Sequence, residues 1–149
     1  MAFEIERKFL VTSQDFKDMA THSEAIEQGY LNREPERTVR VRVLGDKGYI
    51  TVKSKNSGAV RHEWEYEIPV SDAREMLANC LGLIVKRRWY VPYAGHVWEV
   101  DEFGGRHEGL VVAEIELSDE SETFDRPAFV GMEVTGDPRY YNSTLAGKV

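Results

Sequence analysis

Charged side chains recur at every second position in several separate segments of the chain. Residues with this spacing share one face of a β-strand, so each segment is expected to carry a row of charges on one side. The acidic members of these rows are Glu4, Glu6, Glu63, Glu65, Glu99, Asp101, Glu114 and Glu116. The basic members are Lys8, Arg40, Arg42, Lys53, Arg61, Lys86 and Arg88. The uncharged polar residues that usually share solvent-facing strand surfaces are almost absent from these rows.

The two sets of charges suit the two parts of one ligand. Arginine and lysine bind phosphate oxygens, and arginine does so bidentately. Carboxylates are hard oxygen ligands for Mg²⁺ or Mn²⁺, which are commonly shared with substrate phosphates. If the rows line a closed barrel, their burial is costly unless they are paired or meet a ligand of matching charge. The pattern therefore predicts a metal ion and a polyphosphate in a polar tunnel, although a solvated outer face is the usual interpretation for any single strand.

Alternating hydrophobicity predicts the strands that position these charges. The predicted strands cover residues 3–11, 25–32, 37–44, 49–54, 59–70, 83–91, 96–103 and 110–117, and residues 129–134 form either a ninth strand or an edge. Roughly eight strands joined by short turns favour an antiparallel barrel or sandwich. The opposite faces of the strands, which include Trp64, Tyr66 and Trp98, are expected to form a core against the helices.

Two segments have helical rather than alternating spacing. The first covers residues 13–22, and the second covers residues 71–81, with Ser71 or Asp72 as the N-cap and Gly82 at the end. A third helix is expected after Pro138. Few helices beside many strands give a mainly β (α+β) fold class.

Length and composition limit the possible classes of protein. The 149 residues fit one domain, predicted over residues 1–149. The net charge of -7, from 26 acidic and 19 basic residues, argues against a general nucleic-acid binder. The single cysteine, Cys80, excludes a disulfide framework and a cysteine zinc site. With no apolar segment typical of a signal peptide or a membrane span, a cytoplasmic protein without a membrane partner is expected.

The charged rows also carry a family resemblance. The segment Glu4-Ile5-Glu6-Arg7-Lys8 resembles the E-x-E-x-K signature of the CYTH superfamily, the triphosphate tunnel metalloenzymes. The supporting motifs follow in the order of that family: Gln28-Gly29-Tyr30-Leu31, Val39-Arg40-Val41-Arg42, Thr51-Val52-Lys53, Arg61 with Glu63 and Glu65, Lys86-Arg87-Arg88, Trp98-Glu99-Val100-Asp101 and Ala113-Glu114-Ile115-Glu116-Leu117. The chain is most similar to the short, single-domain bacterial members.

The resemblance implies an eight-stranded antiparallel β-barrel tunnel, open at both ends, that hydrolyses a triphosphate with Mg²⁺ or Mn²⁺. Mapped onto this chain, it makes Glu4, Glu6, Glu114 and Glu116 metal ligands, with Asp101 assisting a second ion. It makes Lys8, Arg40, Arg42, Lys53, Lys86 and Arg88 phosphate-binding residues, with Arg61 in addition. Glu63, Glu65 and Glu99 are supporting residues that bind metal, order water or orient the cations. It also suggests a catalytic lysine–tyrosine pair, Lys8 and Tyr30, for proton removal.

Several functions share such a triphosphate cradle. A metal-dependent inorganic triphosphatase is the leading prediction, since the chain is short and shows no clear pocket for a base or a thiazole. An adenylyl cyclase or a nucleoside or thiamine triphosphatase of the same superfamily is the enzymatic alternative. A polyphosphate-binding module without catalysis is the alternative from another class. The partner is a small-molecule triphosphate, and the chain is expected to be a monomer or a homodimer.

Overall fold

A computed structural model describes residues 2–34, 36–55 and 57–147. The strands are β1 Ala2–Val11, β2 His22–Tyr30, β3 Arg37–Leu44, β4 Lys47–Ser54, β5 Val60–Ile68, β6 Leu83–Tyr93, β7 His96–Phe103, β8 Val111–Glu116 and β9 Val130–Glu133. The helices are α1 Phe16–Met19, α2 Val70–Leu77 and α3 Asn142–Leu145, with short 3₁₀ turns at Gly105–His107 and Pro138–Tyr140. No helix within these residues is long and apolar enough to cross a lipid bilayer.

Eight of the strands close into a barrel. Their order is β5-β4-β3-β2-β6-β7-β8-β1, and β1 also pairs with β5, which joins the two ends of the sheet. Every pairing is antiparallel. The short β9 pairs with Phe9 and Val11 of β1, beyond the stretch that pairs with β5. The predicted eight-stranded antiparallel barrel is therefore confirmed, and residues 129–134 contribute a ninth strand attached to it.

The strand register places the charged rows inside the barrel. Directly opposed residues of an antiparallel ladder point to the same face. Arg40 is opposite Tyr30 on β2 and Thr51 on β4. The same alternation continues around the ring to β1 and β8, where Glu6 is opposite Glu116. The intervening apolar residues face outward, and most of them are buried under the helices and loops.

The main hydrophobic core therefore lies outside the barrel. On one side, Phe16 of α1 and Phe129 bury the outer faces of β1 and β6–β8, including Phe9 and Trp98. On the other side, Ala73 and Leu77 of α2 cover Val41 and Val43 of β3. Burial of large apolar side chains contributes about 1.5–3 kcal/mol each, so these two layers can offset the cost of a charged interior.

One outer surface remains uncovered, contrary to the prediction. The alternation predicts Trp64 and Tyr66 in a core against the helices, but α2 lies over β2–β4 and packs on β5 at its last residue, Ile68. Tyr66 is consequently 65% exposed and Phe3 of β1 is 60% exposed. Trp98, predicted in the same way, is fully buried.

The first predicted helix is shorter than its spacing indicates. Only Phe16–Met19 is helical within residues 13–22, and β2 begins at His22 instead of residue 25. His22 is already paired with Tyr90 of β6. Ladder hydrogen bonds to the neighbouring strand therefore override the local helical pattern. The other predicted strands agree closely with the observed ones.

The second helix also differs from its predicted bounds of 71–81. It begins at Val70, so Pro69 and not Ser71 or Asp72 is the N-cap, and it ends at Leu77. Pro69 has an extended ψ of 135°, and its carbonyl accepts the hydrogen bond of the Ala73 N–H (3.0 Å), so Val70 is the first helical residue. The predicted third helix is present as the 3₁₀ turn after Pro138 followed by α3.

The C-terminal segment enters one end of the barrel. Leu145 and Ala146 are buried against Tyr30, Ile84 and Phe103, which the register places on the interior face. This small apolar cluster fills part of that end. The predicted tunnel with two open ends is therefore narrowed at one of them by the chain itself.

Candidate active site

A cavity of about 530 Å³ lies inside the barrel. Its size is typical of a small-molecule site. Strand direction assigns Leu44 and Val97 to one rim and Gly58 and Ala59 to the other, and all four border the cavity. The predicted site residues that line it are Glu4, Glu6, Lys8, Tyr30, Arg40, Arg42, Lys53, Arg61, Glu63, Glu65, Arg88, Glu99, Glu114 and Glu116. Of the predicted set, only Lys86 and Asp101 do not.

Four glutamates on the adjacent strands β1 and β8 form what we call the carboxylate cluster: Glu4, Glu6, Glu114 and Glu116. Burial, with repulsion from Glu114 and Glu4, raises the pKa of Glu6 well above its usual value. Burial also raises the pKa of Glu116, and Glu4 adds to this effect. Glu4 and Glu114 form ion pairs, but Glu6 and Glu116 form none within the described part of the chain. The cluster therefore carries carboxylates without a protein counterion.

A divalent cation fits the chemistry of this cluster. Hard carboxylate oxygens are the donors that Mg²⁺ and Mn²⁺ prefer, and a cation would relieve the repulsion that raises the pKa of Glu6. Across the described ranges, no three acidic, histidine or cysteine side chains are already gathered as a metal centre. The fit rests on donor type and charge rather than on a preformed coordination geometry.

Two arginines of β3, Arg40 and Arg42, form what we call the arginine pair. In the ring, β4 and β5 separate β3 from β1 on one side, and β2, β6 and β7 separate it from β8 on the other. The arginine pair therefore lies across the barrel from the carboxylate cluster. Arg40 donates through one terminal nitrogen to Thr51 (3.1 Å) and Glu65 (3.2 Å), but its Nε is buried without a hydrogen-bond partner. A buried donor without a partner is costly, and a phosphate oxygen is a suitable acceptor for it.

Lys86, Arg88 and Asp101 form a buried triad in the barrel wall. Asp101 Oδ1 accepts from Arg88 Nε (2.8 Å), and Oδ2 accepts from Arg88 Nη2 (2.9 Å) and Lys86 Nζ (2.6 Å). Burial alone would raise the pKa of Asp101, but Arg88 and Lys86 outweigh it and hold the pKa well below its usual value. Lys86 also donates to Asn142 (3.1 Å), and its side chain is fully buried.

This arrangement does not support two of the sequence predictions. Asp101 is predicted to assist a second metal ion, yet both of its oxygens are occupied by cations and it does not line the cavity. Lys86 is predicted to hold phosphate, yet its ammonium group is held by Asp101 and Asn142 away from the cavity surface. The alternation correctly places both residues on the interior face, but it does not show that they satisfy each other there.

The predicted catalytic pair, Lys8 and Tyr30, borders the cavity but is not in direct contact in the described structure. Lys8 Nζ donates to the backbone carbonyl of Tyr140 (3.0 Å) and lies 3.9 Å from a Glu114 oxygen. The Tyr30 hydroxyl accepts from the side-chain amide of Gln28 (3.3 Å). Lys8 is thus adjacent to the carboxylate cluster, and Tyr30 is adjacent to the arginine pair.

The remaining predicted residues form ion pairs or hydrogen bonds around the cavity. Lys53 Nζ bonds both oxygens of Glu4 (3.0 and 3.2 Å) and lies 3.5 Å from Glu63. Arg88 lies 3.3 Å from Glu99 and 3.5 Å from Glu114. The supporting glutamates therefore contact the cations.

Some cavity residues have no predicted role. Thr38 precedes Arg40 and Arg42 on the same strand face, and Tyr90 follows Arg88 in the same way, so their spacing contains a signal for both. The other such residues come from the C-terminal part of the chain: Val134, Thr135, Gly136, Tyr141, Asn142 and Ser143. They lie outside the barrel strands, so no alternation identifies them.

Comparison with known proteins agrees with this geometry. An inorganic triphosphatase of Acetivibrio thermocellus is 49% identical over 147 residues, which cover 97% of this chain and 94% of that protein. An inorganic triphosphatase of Nitrosomonas europaea is 34% identical, with 96% of each chain covered. The crystal structure of the inorganic triphosphatase NE1496 superposes with a TM-score of 0.72 and 33% identity, over 100% of this chain and 97% of that one.

The family comparison covers nearly the same length. The sequence model of the CYTH domain matches residues 2–141, which include all the barrel strands and the whole of the carboxylate cluster. The chain belongs to the CYTH domain family.

Proposed function

We propose that this protein hydrolyses inorganic triphosphate to pyrophosphate and phosphate with the help of a divalent cation. The observation that carries the proposal is the position of the carboxylate cluster, across one cavity from the arginine pair. A linear triphosphate with its cation needs both kinds of charge in the same place. The similar proteins named inorganic triphosphatases support the same substrate.

The carboxylate cluster would hold the cation, for which we propose Mg²⁺ or Mn²⁺. When bound, the cation neutralises charge on the phosphate oxygens. No other step in the proposal depends on its detailed position.

The cations of the barrel wall bind and orient the substrate. Phosphoryl transfer depends on positioning and charge stabilisation more than on covalent catalysis. Arg40 and Arg42 present guanidinium groups that can bind phosphate oxygens bidentately. The other proposed phosphate-binding residues at the cavity are Lys8, Lys53, Arg61 and Arg88.

Hydrolysis then needs one water molecule. Its oxygen forms a bond to a terminal phosphorus, the bond from that phosphorus to the bridging oxygen breaks, and pyrophosphate leaves. The attacking water gives up a proton, and we propose that Lys8, in its uncharged amine form, accepts it with Tyr30 as its partner, because both side chains line the cavity. We assign Glu63, Glu65 and Glu99 to orienting the cations, in keeping with their ion pairs.

The buried triad has a different part in this proposal. Asp101 accepts two hydrogen bonds from Arg88. The rest of the Arg88 side chain borders the cavity. We therefore propose a positioning role for Asp101 and Lys86, in place of metal and phosphate binding. The cytoplasmic location, the single domain over residues 1–149 and the monomeric or homodimeric state stay predictions from the sequence.

Phosphate release from tripolyphosphate, ATP and thiamine triphosphate, measured with Mg²⁺, Mn²⁺ or a chelator, tests the proposal. Rapid, cation-dependent release from tripolyphosphate and slow release from the other two is the expected result. If ATP or thiamine triphosphate is cleaved faster than tripolyphosphate, that compound and not inorganic triphosphate is the substrate. Binding of tripolyphosphate that a chelator does not weaken, with no turnover even when Mg²⁺ or Mn²⁺ is supplied, would show a binding module instead of an enzyme.

A further inference from the structure

Gln28 is a fully buried polar residue on the interior face of the barrel. It lies on β2 directly opposite Arg42 of β3 and two positions before Tyr30 on the same face. It does not line the cavity, although both of those neighbours do. Its side chain therefore lies behind one proposed phosphate-binding residue and one proposed catalytic residue.

Each end of the Gln28 amide has one partner. Oε1 accepts a hydrogen bond from Arg42 Nε (2.9 Å), and Nε2 donates one to the Tyr30 hydroxyl (3.3 Å). The orientation of the amide follows from the chemistry, because a guanidinium nitrogen can only donate and must face the carbonyl end. The NH₂ end is then directed to the phenol oxygen. One side chain thus connects two strands and fixes two cavity residues together.

The bond to Arg42 holds that residue without neutralising it. The other arginine of the pair, Arg40, contacts Glu65, and Arg88 contacts Asp101 and two glutamates. Arg42 forms no ion pair with any carboxylate in the described residues, and a neutral amide occupies its Nε instead. Arg42 lines the cavity, and among the residues that the structure describes its terminal nitrogens are not paired with a carboxylate, which favours an anionic ligand.

The bond to Tyr30 determines what the phenol can do. Because its oxygen accepts from the amide, its own hydrogen is not needed for that contact and can be donated to another acceptor. Tyr30 borders the cavity, so a phosphate oxygen is within the region that this hydrogen can serve.

We infer that Gln28 is a positioning residue for triphosphate binding: it holds Arg42 as an unneutralised cation and Tyr30 as a hydrogen-bond donor, both directed at the substrate. The inference rests on the proposed function, since it assigns Gln28 a part in binding that same substrate. Gln28 acts through its two neighbours and does not itself touch the ligand.

Two substitutions test this in different ways. Gln28→Glu keeps an acceptor for Arg42 but supplies a carboxylate that neutralises it and attracts the Tyr30 hydrogen away from the cavity. Gln28→Met keeps a similar volume and removes both hydrogen bonds. Ile26→Val is the matched control, because Ile26 is also fully buried and interior-facing on β2 but is apolar. Because Gln28→Glu retains the contact to Arg42, it can still be measured if Gln28→Met fails to fold.

The first measurement is calorimetric binding of tripolyphosphate in the presence of a chelator, which needs no turnover. Gln28→Met is expected to raise Kd about tenfold or more, the usual effect of losing a hydrogen bond to a charged group. Gln28→Glu is expected to raise Kd as well, because its carboxylate neutralises Arg42, while Ile26→Val stays near wild type. In an Arg42→Met background, Gln28→Met is expected to add little, because its main effect passes through Arg42. Unchanged binding in both Gln28 variants, or fully additive losses in the double variant, overturns the inference.

Steady-state kinetics with Mg²⁺ or Mn²⁺ provide the second measurement. The Gln28 variants are expected to raise KM through Arg42 and to lower kcat through Tyr30, whereas a merely structural defect would lower the amount of active protein and leave KM unchanged. If the wild type cleaves tripolyphosphate and the Gln28 variants have the KM and kcat of the wild type, the inference about Gln28 is overturned and the proposed function is not. A wild type that binds tripolyphosphate but never cleaves it overturns the proposed function and leaves the binding role of Gln28 standing.

Discussion

Glu6 on β1 lies directly opposite Glu116 on β8, with both side chains directed into the barrel cavity. Neither forms an ion pair in the described structure, and burial raises the pKa of each. Glu6 is repelled by Glu114 and Glu4, and Glu116 is repelled by Glu4, Glu99 and Glu114. Like charges buried in one cavity disfavour the charged form of each carboxylate, so a bound cation would stabilise this side of the barrel.

Divalent cations are therefore expected to stabilise the protein. At a concentration about a hundred times Kd, Mg²⁺ or Mn²⁺ should raise Tm by about 5–10 °C in a chain of this size. Glu6→Gln and Glu116→Gln should each reduce that shift strongly, because they remove donor oxygens from the carboxylate cluster. Thermal unfolding with and without metal measures this. Glu75→Gln, an exposed change on α2, is the control and should keep the full shift.

Lys8 is expected to be needed for turnover rather than for folding. Lys8→Met should lower kcat about 100-fold or more, as loss of a group that transfers protons does. Tyr30→Phe should lower kcat with a smaller change in KM, because it removes one hydroxyl and keeps the ring. Phosphate release at saturating substrate and metal is the measurement. Near wild-type turnover of Lys8→Met would remove Lys8 from the mechanism.

Arg40 is expected to contribute its fork geometry as well as its charge. Arg40→Lys keeps the charge but loses the guanidinium whose Nε is buried without a partner. The change should lower kcat/KM for tripolyphosphate about tenfold or more, since lysine binds phosphate as a point charge. Arg74→Lys on the exposed side of α2 is the matched control. Equal effects of the two substitutions would show that the arginine geometry at the cavity is unimportant.

Asp101 gives a prediction about pH. Its folded-state pKa is held well below the usual value by Arg88 and Lys86. A lowered folded pKa contributes stability that is fully present above the unfolded value of 3.8 and is lost as pH falls below it. Burial already lowers the pKa of Lys86 to about 7, and loss of Asp101 would lower it further. Asp101→Asn therefore leaves chiefly the buried Arg88 cation without its carboxylate and should cost about 3–5 kcal/mol of unfolding free energy at pH 7.

Urea unfolding of wild type and Asp101→Asn at pH 7 and below pH 3.8 measures this difference. The gap between the two proteins is expected to narrow on acidification, because the wild-type carboxylate begins to lose its advantage there. Asp101→Asn is also expected to be stabilised by the metal as much as the wild type is, since Asp101 is not assigned to the metal. A difference in unfolding free energy between the two proteins that increases at low pH would contradict the positioning role of Asp101.

Alternation alone predicts the strands and their charged rows and favours an antiparallel barrel or sandwich, whereas the closed eight-stranded barrel is what the family resemblance implies. A single row such as Glu4, Glu6 and Lys8 fits a solvent face, but the repetition of such rows in strand after strand, almost without uncharged polar residues, does not. The apolar residues between the charges need a separate core. Because side-chain direction in a strand has a period of two, one correct strand assignment fixes every charge in that strand.

Pairing among the interior charges could not be predicted in the same way. Asp101 and Glu114 look alike in the sequence, yet one is enclosed by two cations and the other borders the cavity. Which of them borders the cavity depends on the relative stagger of β6, β7 and β8, and a single strand contains no information on stagger. The position of Leu145 inside the barrel is likewise set by long-range packing.

Product analysis by phosphorus NMR tests the central claim most directly. Tripolyphosphate incubated with the protein and Mg²⁺ or Mn²⁺ should yield pyrophosphate and phosphate in equal amounts, and a chelator or the combined Glu6→Gln and Glu116→Gln change should stop the reaction. Intact tripolyphosphate in the presence of metal, or undiminished cleavage by the doubly substituted protein, would contradict a triphosphatase site built from these facing charges.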